Sequence, residues 1–282
     1  TSNLVKPTTV KIMQDGVMEN YTAVLLEPYH VPGQTKGIPM VEPEFLKKVV
    51  TAIDAAGFQV HFHAIGDLSV KTAIDAIASV TPENTVLNRH SITHLQVVND
   101  EDIQRLGDYK IPLAFTYAWA RKFPEYDATV IPFIEKLDSL EDMYKPDSYY
   151  YQHFYPAKSI QNAGGILAAG SDAPVETDDP RPFVNIEAAV TRDAGQGIFN
   201  PAQRLNILDA IDAYTINGAR LLGQQHVTGS LEAGKKADFI ILENNIIEMA
   251  NTGQPEKIHQ TTVRQTWFDG RLVFDKNTVE GG

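Results

Sequence analysis

Phe58-Gln-Val-His-Phe-His-Ala64 is a short β-prone run that stops at Ile65-Gly66-Asp67 and passes into Ser69 to Val80, a stretch with helical spacing of its apolar residues. Such a run, ended by a glycine turn, predicts a strand feeding a helix. The same order recurs on both sides. Upstream, Val10 to Asp15 reads as a buried strand ended by Gly16. Glu42 to Ala56 reads as a helix with apolar Phe45, Leu46, Val49, Val50 and Ile53, stopped by Gly57. Downstream, Thr85 to Thr93 is strand-like, Asn99 can cap a helix through Arg105, and Ile111 to Tyr117 is a further strand. Ser159 to Asn162 then leads as a helix into the apolar strand Gly165 to Ala169. Strands alternating with helices at this spacing predict parallel βα units, an α/β chain whose functional residues gather at the carboxyl ends of the strands.

Between these units, Ala118 to Tyr155 is rich in Pro, Tyr, Asp and Lys without steady periodicity, as expected of a long βα loop that covers a site. Its aromatics Tyr149, Tyr150, Tyr151 and Phe154, with Tyr117 and Trp119, suit either a substrate pocket or plain packing. Beyond the last barrel-like strand, Ile207 to Leu222 predicts one amphipathic helix. Ala237 to Glu243 and Val263 to Phe274 predict antiparallel strands, the second folded about Asp269-Gly270. The expected organisation is a barrel portion over residues 1–222 and a β-sandwich appendage over 223–282.

The 282 residues carry 43% hydrophobic side chains, enough for a sizeable core, and a net charge of −12. That charge argues against nucleic acid or an anionic membrane as partner, and a small neutral or cationic substrate is easier to accommodate. There is no cysteine, which removes disulfides, thiolate metal sites and a cysteine nucleophile. No apolar run reaches membrane-spanning length and Thr1 to Thr9 has no signal-peptide pattern, so a cytoplasmic setting is the expectation. A homo-oligomer stays open.

The strand ends, in order, offer Lys11 and Asp15, His61 and His63, Arg89 to His94, Tyr117 and Trp119, and Ser171-Asp172. Amide hydrolysis at neutral pH needs a nucleophile stronger than water, and a divalent metal supplies one by lowering the pKa of bound water to about 7. His63, His94 and Asp172 are ligand types that suit such an ion. His61-Phe-His63 places two imidazoles on one strand face, where they either share a metal or are satisfied by hydrogen bonds. Asp172 before Ala-Pro is either functional or an ordinary turn former. Lys11, within the buried-looking Thr9-Val-Lys-Ile-Met13, needs its charge neutralised. It is either carboxylated, and so an anionic ligand, or paired with Asp15.

Together these segments resemble the amidohydrolase superfamily, in its YtcJ-like branch with the N-substituted formamide deformylases. The resemblance runs through Val10 to Ala23, Val60-His-Phe-His-Ala-Ile-Gly-Asp67, Arg89-His-Ser-Ile-Thr-His-Leu-Gln96, Gly170-Ser-Asp-Ala-Pro-Val175, Ala213-Tyr-Thr-Ile-Asn-Gly-Ala219, Thr228 to Asp238 and Thr266 to Val273. It implies a distorted (β/α)₈ TIM barrel with a small β-sandwich. It further implies a divalent metal, zinc first among candidates, as one or two ions. Lys11 as a carboxylated lysine, His63 and His94 are the implied ligands, with Asp172 both at the metal and handling the proton of the activated water. Asp15, His61, Asp67, Arg89 and Trp119 are expected around substrate or behind the ligands. The implied reaction is hydrolysis of a non-peptide, amide-type C–N bond of a small molecule by metal-activated hydroxide.

The family's first barrel strand carries a further His-x-His pair, and no such segment precedes Lys11. Five strands do not close an eight-strand barrel and leave an apolar edge. The expectation is therefore a barrel lacking its first strands in this chain, completed by an N-terminal segment of the same polypeptide or by a complementary chain. Ala173 and Thr93 stand where many relatives have tryptophan and glutamate, which points to a different pocket. Two alternatives stay open: a deaminase acting on a cyclic amidine, and a metal-poor relative that binds without turnover.

Overall fold

The structure, a computed structural model, describes residues 5–33, 35–83, 88–175 and 180–279. The chain divides into two compact units, Thr1–Phe115 with Lys122–Leu167, and Thr116–Arg121 with Ala168–Gly282.

In the first unit the predicted strand and helix around His61 are β2 (Gln59–Ala64) and α2 (Asp67–Ala78). They follow β1 (Thr9–Met13) and α1 (Pro43–Ala55), whose Pro43 stands in the first turn, where a missing N–H costs nothing. β3 (Ser91–His94), α3 (Asp100–Asp108) and β4 (Pro112–Phe115) come next. The expected start of the third strand at Thr85 lies outside the described residues. Asn99 caps α3 as its side chain predicts, accepting from Glu101 N at 3.0 Å. α6 (Ala157–Asn162) leads into β5 (Ile166–Ala169).

The five strands form one sheet in chain order, and the β1–β2, β2–β3 and β3–β4 pairs are parallel. Lys11 is in register with His61, Met13 with His63, His61 with Ser91, and Ala64 with His94. Val60, Phe62, Ile92 and Leu113 are fully buried in the core, together with Val70, Ile74 and Ile77 of α2. The turn between β2 and α2 is tight, since a Cβ on Gly66 would lie 2.2 Å from the carbonyl oxygen of Val24. Only glycine allows that approach.

β1 is the edge strand of this sheet. Its alternate residues Lys11 and Met13 are exposed while Ile12 is buried. Lys11 is therefore exposed where its sequence suggests burial, because among the described residues no strand pairs with the outer side of β1. Segment 118–155 is also more regular than its composition suggests. It contains α4 (Pro124–Val130), α5 (Tyr149–His153) and three-residue and five-residue 3₁₀ turns at Ile131–Phe133 and Leu140–Tyr144. The buried carboxylate of Asp127 organises it, accepting from Tyr144 OH at 2.7 Å, Tyr150 OH at 3.0 Å and Phe123 N at 3.0 Å. Each of these elements is too short to show a period.

The second unit holds α7 (Pro182–Thr191), α8 (Ile207–Tyr214), α9 (Ile216–Leu221), β6 (Phe239–Leu242), α10 (Ile246–Asn251), β7 (Val263–Phe268) and β8 (Arg271–Asp275). The single helix expected over Ile207 to Leu222 breaks at Thr215, where φ is −120° and ψ −99°. There the hydroxyl bonds back to Ile211 O at 2.8 Å, a local alternative to the helical ladder that bends helices. β6, β7 and β8 form an antiparallel sheet, and the Asp269-Gly270 turn has φ of 52° and 72°. Two positive φ values are what a two-residue hairpin requires, as the Asp-Gly pair predicts.

Candidate functional site

At the carboxyl ends of β2 and β3, the rings of His63 and His94 meet edge to face, with centroids 4.5 Å apart and an interplanar angle of 65°. Both are buried. His94 has a φ of 78° and Leu95 one of 47°, left-handed values that non-glycine residues adopt at a cost and that concentrate at functional sites. Burial, with help from His63, Lys11 and His61, lowers the pKa of His94 to about 3, so its imidazole is neutral at physiological pH. His63 Nε2 lies 2.9 Å from the carbonyl oxygen of Gly16. A carbonyl only accepts, so Nε2 is the donor in this contact and Nδ1 is the ring nitrogen it leaves free of that bond.

Asp15 braces this pair. Its carboxylate lies 3.5 Å from His63 Nε2 and accepts from Ile65 N at 3.0 Å, Gly66 N at 2.9 Å and Val24 N at 3.0 Å. Burial pushes its carboxyl pKa up, against the pull of the three N–H donors and His63. One side chain thus ties the end of β1 to the turn after β2 and to the loop leaving β1. Asp67 clamps the same loop one step further along, accepting from Leu26 N and Leu68 N at 2.8 Å each and from the Tyr149 hydroxyl.

The other expected residues separate into distinct surroundings. His61 Nδ1 lies 2.7 Å from Ser91 Oγ, its register partner, and burial and Lys11 lower its pKa to about 4. The close ring partner of His63 is thus His94 on the next strand. Arg89 donates to Asp54 near the end of α1, away from the strand ends. Trp119 and Asp172 belong to the second unit. Trp119 sits half-buried on a single turn, Tyr117–Trp119, whose Ala118 N donates to Asn185 Oδ1 at 2.9 Å. Asp172 is exposed with φ 53°, in the turn whose Val175 N donates to Asp172 O at 3.0 Å. Among the pocket aromatics, Tyr150 and Phe154 are buried against each other with centroids 4.4 Å apart, a packing role.

Sequence reading includes His90 and Ser91 in the stretch Arg89 to His94 without giving either a role, and it misses the Gly16 carbonyl. A backbone carbonyl has no side-chain signature. His90 is fully buried, accepts at Nδ1 from Val60 N at 3.1 Å, and faces Asp54 Oδ1 with Nε2 at 3.1 Å. Protonation would set an Nδ1–H against the Val60 N–H, and burial lowers the pKa of His90 below the ordinary value. The unfolded imidazole takes up a proton below pH ~6.5 while the folded one resists, so stability present above that pH is lost as pH falls. Between pH 6.5 and 5, urea unfolding of the wild type should lose up to about 1.4 kcal/mol per pH unit more than His90→Gln does. Parallel pH profiles of the two proteins would contradict this.

Donor chemistry at the strand ends fits a divalent cation at two positions, the imidazoles of His63 and His94. Among the described residues, no cluster of three or more His, Cys, Asp or Glu is arranged to hold a metal ion. No described helix is long and apolar enough to cross a membrane.

The fold is shared with solved metal-dependent hydrolases. An uncharacterised metal-dependent hydrolase from Pyrococcus horikoshii superposes with a TM-score of 0.69 at 24% identity, over 86% of this chain and 46% of its own. Residues 2–274 match the amidohydrolase family, and the chain belongs to it. Among curated proteins it is 28% identical to the putative amidohydrolase YtcJ of Bacillus subtilis over 95% of this chain and 47% of that protein. It is 23% identical to the N-substituted formamide deformylase of Arthrobacter pascens over 78% of this chain and 37% of that protein. The YtcJ-like resemblance is borne out, and the chain spans about half the length, or less, of these curated relatives.

Proposed function

We propose that this chain carries part of the centre of a metal-dependent hydrolase that cleaves a non-peptide C–N bond of a small molecule. The observation that carries the reading is the buried pair His63 and His94, neutral at His94, fixed through Asp15 and set at the carboxyl ends of adjacent parallel strands. Lys11, carboxylated, is the third ligand in this reading, one strand away in register with His61. A bound divalent cation, zinc in this proposal, would supply water of lowered pKa and polarise the scissile carbonyl. His63 offers Nδ1 because the Gly16 carbonyl occupies the Nε2 proton, and Asp15 keeps the ring from turning. Asp172 takes the proton of the attacking water and delivers it to the leaving nitrogen.

The exposed outer side of β1 is the place where further strands, of the same polypeptide or of a complementary chain, would complete the sheet and the ligand set. The boundary near residue 222 between barrel portion and appendage belongs to the same proposal.

The test is an assay of the protein expressed from its own uninterrupted reading frame, loaded with zinc, on N-substituted formamides and related amides. The expected result is release of carboxylate and amine without ammonia. Ammonia released from a cyclic amidine would replace this reading with deamination, and no turnover together with no bound metal would leave a binding protein.

A further inference from the structure

A cleft of about 620 Å³ opens within the first unit, between the loop that leaves β1 and the turn at the end of α4. Its lining is mixed, and its apolar part is made by Pro28, Val31 and Pro32 together with Pro132 and Leu137. That volume falls in the usual range for small-molecule sites, roughly 300 to 1,000 Å³. Two cationic or cation-capable groups, Lys136 and His30, stand at its rim and are exposed.

The walls are fixed in advance. Tyr29, at the base, is 1% exposed, donates its hydroxyl to Ala23 O at 2.9 Å, and has its own N–H bonded to Thr35 O at 2.8 Å. Tyr21 touches both sides, edge to face with Tyr29 at 5.6 Å and with Phe133 at 5.2 Å. His30 N donates to Phe133 O at 2.7 Å, which closes the far end. Preformed walls spare a ligand the cost of ordering them.

The charge at the rim is not cancelled by its neighbours in sequence. Glu135 turns its carboxylate to Tyr149 N at 2.7 Å and Tyr150 N at 3.1 Å. Among the described residues Lys136 Nζ has no ion-pair partner. An uncompensated ammonium beside a proline-lined cleft is complementary to an anion with an apolar body, against the acidic average of the chain.

We propose that this cleft binds a small organic carboxylate with an aromatic or branched aliphatic body, its carboxylate pairing with Lys136 Nζ. The lining of the cleft does not include His63 or His94, so failure of this proposal and failure of the hydrolase reading are separable.

The experiment is a calorimetric titration of the protein with 3-phenylpropionate and with 3-phenylpropanamide, its neutral counterpart. The acid should bind saturably and about fivefold more tightly than the amide. Lys136→Gln should remove that difference, Val31→Asp should abolish binding, and His94→Ala should leave it unchanged, with circular dichroism confirming the fold of each variant. Equal affinity for acid and amide, wild-type affinity in Lys136→Gln or Val31→Asp, loss of binding in His94→Ala, or no saturation would each overturn the proposal.

Discussion

Asp15→Ala should destabilise the protein by about 4 kcal/mol, read as a lowered urea midpoint. Three buried N–H groups, of Val24, Ile65 and Gly66, lose their acceptor, and each such orphan costs about 1 to 3 kcal/mol. Removing the buried carboxylate also relieves a desolvation penalty, which keeps the total below the upper sum. Asp15→Asn preserves one acceptor oxygen but sets an amide N–H₂ against at least one of the three donors, so it should fall between. A loss below about 1 kcal/mol for Asp15→Ala would show that water replaces the carboxylate, and the brace would then lose its significance.

His94→Ala should remove at least about a hundredfold of turnover while leaving the urea midpoint nearly unchanged. The asymmetry follows from the surroundings of the two residues. Asp15 satisfies backbone donors of three segments, whereas His94 occupies a left-handed backbone position that alanine also tolerates poorly but that costs only about 1 kcal/mol. Its imidazole is buried and neutral, the state a metal ligand requires. Near-wild-type turnover in this variant would remove His94 from the ligand set.

The parts of the fold that were legible in the sequence are those with strong local signals. Asn99 announces α3, Gly66 marks the turn from β2 to α2, and Asp269-Gly270 fixes the hairpin of β7 and β8. α7 was missed because Pro182 to Thr191 buries residues around most of its circumference and shows no polar stripe to set a period. The break at Thr215 depends on one side-chain hydrogen bond that no window of apolar residues can reveal.

At the site, residue types at strand ends pointed to His63 and His94, and the structure joins them. Lys11 is exposed where its local sequence suggests burial. The sequence Thr9-Val-Lys-Ile-Met13 looks buried, yet burial depends on a neighbouring strand that a local reading cannot supply. The work of Asp15 was equally hidden, since its partners are backbone groups nine residues and about fifty residues away in the chain.

Anomalous diffraction at the zinc edge, from crystals of the zinc-loaded protein, decides whether His63 and His94 share a metal ion. The expected result is a peak about 2.0 to 2.1 Å from His63 Nδ1 and from a ring nitrogen of His94. A fully loaded crystal with its only zinc peak elsewhere, or with none beside these two rings, would contradict it.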